Sequence, residues 1–173
     1  MGEVWDREKR IDVEEGERYR KAIHDFISQY HKGTLSFLMT TRKNGLPMMR
    51  PVSVFVEGWT IQTISQHHHV KLTHVRNNPI VGYLFTDAEG EPYNDLGYTS
   101  HVWVAGRCEI IEDPDAVQAF FQRRAAATGT GDAHPHDPSY RRVLMKTTPE
   151  YLRAEGFAEH QRSVIYKAFP PIS

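Results

Sequence analysis

The sequence predicts a mostly β fold, a small antiparallel barrel with flanking helices, and three observations carry that prediction. Short apolar runs bounded by turn residues recur between residues 35 and 111. Asn44-Gly45 and Glu57-Gly58 stand between such runs, where tight turns would reverse the chain. Helical signals are confined to two or three stretches at the margins of these mostly antiparallel runs.

The elements follow in order. Tyr19, Ala22, Ile23, Phe26, Ile27 and Tyr30 recur at helical spacing over residues 17–31, with Arg18, Lys21, Asp25 and Gln29 opposite. Gly33 takes the place of a C-cap. LSFLMTT (35–41) and MMRPVSVFV (48–56) read as strands joined by a two-residue turn at Asn44-Gly45, and WTIQTIS (59–65) completes a three-strand meander. Residues 70–77 read as a short helix ended at Asn78-Pro79, because the residue before proline is pushed out of the α region. IVGYLF (80–85) and HVWVAGRCEII (101–111) are further strands. Asp113 before Pro114 is an N-cap with proline at N1, opening a helix through DAVQAFFQRR whose Phe120 and Phe121 face the core. AAATGTGDAHPHDP (125–138) reads as a mobile loop, and RRVLMKT, EYLRAEGF and SVIYKAF as three late strands. Trp103 and Cys108 are expected in the core of their strand.

A chain of 173 residues fits one domain, 1–173, with the charged residues 1–15 as an extension that is either loose or folded onto a partner. Twenty-one Lys and Arg balance 22 Asp and Glu, so nothing in the net charge of -1 calls for nucleic acid. One cysteine allows no internal disulfide. With no apolar leader and no apolar run near 18 residues, the expectation is a cytoplasmic protein without a membrane partner.

Three adjacent histidines, His67, His68 and His69, invite a metal reading. Neighbouring side chains point in different directions, however, and neither His74 nor the pair His134 and His136 has ligand spacing, so no metal is expected. Lys71 is different. It falls near the start of a helix that follows a strand and a loop of hydroxyls and amides, where free N–H groups and the helix dipole favour an anion. Arg50 lies in the strand that folds back beside residues 59–65 and could reach the same anion bidentately. On spacing alone the two residues are either a phosphate site or ordinary solvated charges.

The order arginine strand, turn, strand, lysine, Asn-Pro and apolar strand (RPVSVF, EGWTIQTIS, HHHVK, NNPIVGYLF, HVWVAGRCEIIEDPDAV) resembles the FMN-binding split-barrel superfamily of pyridoxamine 5'-phosphate oxidase-like proteins. The likeness spans about residues 17–125, and Pro149 to Phe157 resembles the late strands of its general-stress branch. It implies an antiparallel split β-barrel and a homodimer with FMN at the interface. It implies FMN phosphate held by Arg50 and Lys71, with Ile64, Ser65, His69 and Val70 around it. Pro51, Val52 and Ser53 would offer main-chain groups to the isoalloxazine ring, and His101 replaces a glutamine that often reaches the cofactor from the other subunit. The family often has Ser-Arg-Lys where this chain has His69-Val70-Lys71.

The resemblance thus implies an FMN-dependent oxidoreductase acting on a small molecule, with no catalytic side chain assigned because the cofactor carries the redox chemistry. Its F420-binding (deazaflavin) branch, its haem branch and a non-enzymatic flavin or haem carrier are the alternatives. The chain ends QRSVIYKAFPPIS in place of the Arg-rich ending of true pyridoxamine-phosphate oxidases, so vitamin B6 phosphate is not the expected substrate. TDAEGEPYNDLGYTS (86–100), with Tyr93 and Tyr98, reads either as a loop over the ligand or as a surface excursion.

Overall fold

The computed structural model describes residues 13–29, 34–87, 99–129, 141–159 and 162–172. Helix α1 (Val13–Ser28) buries Ile23, Phe26 and Ile27, the i, i+3, i+4 stripe of its sequence period. Each contributes about 1.5–3 kcal/mol by leaving water. The helix takes in the last residues of the expected 1–15 extension; Tyr30 and Gly33 lie outside the described residues.

Strand β1 (Thr34–Thr41) pairs antiparallel with β2 (Pro47–Pro51). The turn between them is longer than the two-residue one expected. Arg42 N still donates to Leu46 O at 2.9 Å, Gly45 N donates to Arg42 O at 2.9 Å, and Gly45 takes positive φ (+85°). That is a three-residue loop closed by a left-handed glycine, with Asn44 accepting from Leu46 N at 3.2 Å. The expected single strand over 48–56 is also corrected. It stops at Pro51 and resumes as β3 (Phe55–Glu57), which pairs with β4 (Thr60–Gln66) across the turn at Gly58-Trp59. The expected three-strand meander is therefore two separate hairpins.

The break at residues 52–54 makes the barrel. The sheet runs β2-β1-β5-β6-β7-β4-β3, with β5 (Ile80–Asp87), β6 (His101–Ile111) and β7 (Arg142–Glu155), and β8 (Val164–Tyr166) hangs from β7. Its two ends, β2 and β3, are halves of one bent segment, so the sheet closes through the corner. Val52 N donates to Ser36 O (3.0 Å), Ser36 Oγ to Val52 O (2.6 Å), and Thr63 Oγ1 to Ser53 O (2.5 Å). Side chains from both sides thus satisfy the corner's backbone.

Two late runs expected as separate strands form one 14-residue strand, β7, that passes Pro149. Proline cannot donate to a ladder, and the register shifts beside it between Ala105 and Gly106. Helix α2 (Val70–Asn77) has the expected bounds. Helix α3 (Pro114–Thr128) starts on Asp113, whose carboxylate accepts from Asp115 N and Ala116 N, and ends at Gly129 with φ +69°. Residues 125–128 of the expected mobile loop are helical, since alanines propagate α3 to that glycine; residues 130–140 lie outside the described residues. Phe120 and Phe121 are buried with Val117 and Leu144, and Cys108 is buried, as the sequence predicts. Trp103 is not: it is 38% exposed, because its strand turns Val102 and Val104 inward and leaves Trp103 on the outer face.

Candidate functional site

An open cleft of about 230 Å³ lies at the corner where the barrel splits, between residues 51–55, the end of β4 and the last turns of α3. Lys71 projects into it from the first turn of α2, and Phe120 and Arg124 border it from α3. None of the described residues lining it is acidic.

Lys71 is only 7% exposed, yet among the described residues its ammonium has no hydrogen-bond or ion-pair partner. Burial, and then the nearby Arg50 guanidinium, lower its pKa below the usual lysine value. His69 is shifted down by burial, Lys71, His68 and Arg50, in that order, and His74 by burial, Arg50 and Arg42. Arg50 is likewise without a partner among the described residues, as is the side chain of Arg124. Arg50 lies opposite Leu38 on the inward side of β2, which aims it at this cluster rather than at solvent. A buried ammonium beside a half-buried guanidinium, with no carboxylate for either among the described residues, is costly unless an anion completes the set.

Helix α2 supports the same reading. Its N-cap His69 makes no side-chain capping bond and its first turn holds no acidic residue. Instead His69 Nδ1 lies 3.2 Å from Ser65 Oγ. The first N–H groups of α2 thus have no side-chain acceptor within the helix. The N–H groups of Val70 and Lys71 and the side chains of Lys71 and Arg50 are donors of the kind a phosphate monoester requires, and the Ser65 hydroxyl, which donates to Gln66 O at 3.3 Å, would turn to join them, so the residues present fit the phosphate end of FMN.

The structure therefore brings Pro51, Val52, Ser53, Ile64 and Lys71 together at the cleft, with Arg50, Ser65 and His69 beside it. Both main-chain groups of Val52 and the carbonyl of Ser53 are already bonded within the barrel corner, so a ligand there meets mainly second lone pairs and side chains. Val70 is 60% exposed and has only its main chain to offer. His67 and His68 are exposed; the ring centroids follow one another edge to face at 5.3 and 5.0 Å. Among the described residues no group of three His, Cys, Asp or Glu is placed to hold a metal ion. Tyr93, Tyr98, His134 and His136 lie outside the described residues.

His101 is elsewhere. Ile64 aligns with Leu144, which aligns with Ile111, and His101 stands ten residues back along β6 from that row. It belongs to the outer face of the sheet, where cross-strand partners share a side. One row there runs Pro51, Phe37, Leu84, Trp103, Arg153; the next Met49, Met39, Gly82, Ala105, Tyr151; a third ends Thr86, His101, Glu155. Met49 is 59% exposed, Leu35 44%, Met39 42%. This face is apolar, hollowed around Gly82, and reaches the cleft at Pro51.

Arg124 and Phe120 were not singled out from the sequence as site residues. Their i, i+4 spacing puts them on one face of α3, but which strands that face meets is a tertiary fact. The buried His74, 3.0 Å through Nδ1 from Thr40 Oγ1, was also passed over as one histidine of ten.

A family model described as Pyridoxamine 5'-phosphate oxidase matches residues 14–155, and the chain belongs to that family. No curated protein matches the chain. Among solved structures, general stress protein 26 from Bacillus anthracis str. Sterne is similar with TM-score 0.59 and 19% identity, over 87% of this chain and 99% of that one. An F420 reductase gives 0.53 and 21%, over 69% and 89%. A heme binding protein from Mycobacterium smegmatis gives 0.58 and 15%, over 88% and 57%. At these identities the likeness is one of fold, a split barrel shared by proteins named for different ligands.

Among the described residues no helix is long and apolar enough to cross a membrane.

Proposed function

We propose that the chain binds FMN as a homodimer and works as a flavin-dependent oxidoreductase on a small molecule. The observation that carries this reading is Lys71, a buried cation without a counter-ion among the described residues, facing an open cleft beside Arg50. Arg50, Lys71, Ser65 and His69 would hold the phosphate, and the main chain and side chains of residues 51–53 and Ile64 would border the rest of the ligand. Arg124 adds a third cation at the cleft for the phosphate or for an anionic substrate. FMN, when bound, supplies the electron-transfer chemistry.

The homodimer rests on the outer face. A contiguous apolar surface of Phe37, Met39, Met49, Leu84, Trp103 and Tyr151 is what a subunit interface needs. Because that face reaches the cleft at Pro51, a second copy seated on it would wall the cleft and bring His101 toward the ligand. Covered in this way, the ligand would be shielded from bulk water.

An absorption spectrum of the purified protein, with mass identification of the released chromophore, tests the reading. Released FMN supports it. F420 moves the protein to the deazaflavin branch, whose phosphodiester the same cations would serve, and a Soret band moves it to haem. For a colourless preparation, titration with each ligand decides. Lys71→Ala should weaken FMN binding about 10–100-fold, the range for a buried charged contact, while the exposed His68→Ala should leave it unchanged. Equal losses, or no binding by the wild type, reject the phosphate site.

A further inference from the structure

His101 ends an otherwise apolar surface, and nothing in its own chain's cleft uses it. Its Nε2 lies 3.0 Å from Glu155 Oε2. The carboxylate is itself held in place. Arg153 donates to Oε1 from Nε and Nη2 at 2.9 and 2.6 Å, and Ser163 Oγ donates to the same oxygen at 3.2 Å. With Oε1 so occupied, Oε2 is left for the imidazole. Burial would raise the Glu155 carboxyl, but hydrogen bonds from His101 and Arg153 outweigh it and hold the pKa below the usual value.

An ionised carboxylate only accepts, so the atom facing it must carry the proton. Neutral His101 is then the Nε2–H tautomer with its lone pair on Nδ1. Among the described residues Nδ1 has no partner. Trp103 packs edge-on to the ring, with centroids 4.6 Å apart at 80°, and Arg153 lies over Trp103 at 5.9 Å. The charged groups that β7 sets around His101 are Glu155 and Arg153; β5 places Thr86 opposite it, with Asp87 next along.

We propose that Glu155 is a positioning residue that holds His101 as the Nε2–H tautomer, so that Nδ1 is the atom one subunit presents to the ligand in the other's cleft. The inference rests on the homodimer and cofactor reading above. In such a homodimer, a two-fold axis lying along the strands over the middle of the apolar face, near Gly82, would exchange its β6–β7 side with its β2 side, where Pro51 belongs to both face and cleft. Held in this tautomer, Nδ1 offers the ligand a lone pair that accepts from an N–H.

Two measurements on the full chain test this. The first is ¹⁵N-detected NMR of the imidazoles, with His101 assigned by comparison with His101→Gln. A dominant Nε2–H form in the wild type that is lost in Glu155→Gln is expected; a tautomer mixture in the wild type overturns the proposal. The second is FMN affinity at one pH. His101→Ala and Glu155→Gln should each weaken binding severalfold, the effect of a lost or misaimed hydrogen bond. Unchanged affinity in His101→Ala overturns the presented-atom role. Should FMN fail to bind the wild type, the cofactor reading fails, and the tautomer alone decides the role of Glu155. If Glu155→Gln does not fold, the wild-type tautomer and the His101→Ala affinity still decide.

Discussion

Arg50 and Lys71 converge from the end of a strand and the first turn of a helix, and the guanidinium adds to burial in weakening the ammonium's hold on its proton. Among the described residues no carboxylate lines the cleft between them. The arrangement stores an unfavourable interaction that an anion relieves, so the cleft's stability and its ligand affinity are opposed.

That opposition is testable with Lys71→Met. The thioether chain keeps the buried volume and removes the unpaired charge, so the ligand-free protein should gain about 1 kcal/mol, as when a functional charge is removed from a site. FMN affinity should fall in the same variant. Thermal melts with and without FMN check both; a variant that is less stable and still binds would contradict the account.

Acid should expose the same strain through the histidines. The folded-state pKa values of His69 and His74 lie below the free value of 6.5, so near and below that pH the unfolded chain binds more protons than the folded one. Stability is then fully present above about pH 6.5 and declines as pH falls through it. A bound phosphate would favour both imidazolium ions, so FMN should flatten the decline. Melting temperatures between pH 8 and 5.5, with and without FMN, provide the check, and an apo protein insensitive to that range would refute it.

The parts of this molecule that follow from local chemistry were legible in the sequence. Asn78-Pro79 ends α2, Asp113-Pro114 opens α3, and the Ile23, Phe26, Ile27 stripe is buried. Lys71 was legible because a lysine at a helix start has a physical reading. What failed needed knowledge of pairing. The run 48–56 has continuous β character, and only the competition of β1 and β4 for its two halves breaks it at Val52. Trp103 lies on an apolar strand and so reads as core; its exposure follows from strand alternation, which turns Val102 and Val104 inward and Trp103 onto the apolar outer face.

Arg124 tests the residue that sequence reasoning missed. It lines the cleft from α3 with no partner among the described residues, so Arg124→Gln should leave the melting temperature nearly unchanged. Affinity for FMN or for an anionic substrate should drop about tenfold, the effect of one charged hydrogen bond. Calorimetric titration distinguishes the two ligands; no change with either would place Arg124 outside the site.

Trp103→Glu addresses the dimer. A large aromatic at the middle of an apolar face is the kind of residue whose loss costs 2 kcal/mol or more in an interface, about 30-fold in dissociation constant. A carboxylate there also leaves a charge to bury. Light scattering should show a shift toward monomer, accompanied by weaker FMN binding if the second subunit covers the cleft. A stable dimer would remove this face from the interface.

Gly106 carries the last prediction, and it separates fold from function. It is buried in β6 opposite the place where β7 passes Pro149, and a proline in mid-strand leaves a missing donor that the register shift after Ala105 accommodates. The accommodation works by close approach: a Cβ on Gly106 would fall inside van der Waals distance of Thr148 O, and 2.9 Å from Pro149 Cα. Both are backbone atoms of the longest strand, so neither can swing aside as a side chain would. Gly106→Ala should therefore cost about 2–4 kcal/mol, in the range of overpacking at a rigid contact. Gly82→Ala presses only on the flexible end of Met39, at 3.1 Å, with Met39 Cβ and Val104 O at ordinary contact distances, and should cost far less in the monomer. Because Gly82 forms the floor of the apolar hollow, its methyl should instead weaken self-association. Urea unfolding and sedimentation of the two variants give the comparison. Equal unfolding midpoints would mean that the strand relaxes around position 106, and that the bulge is not the rigid corner its contacts describe.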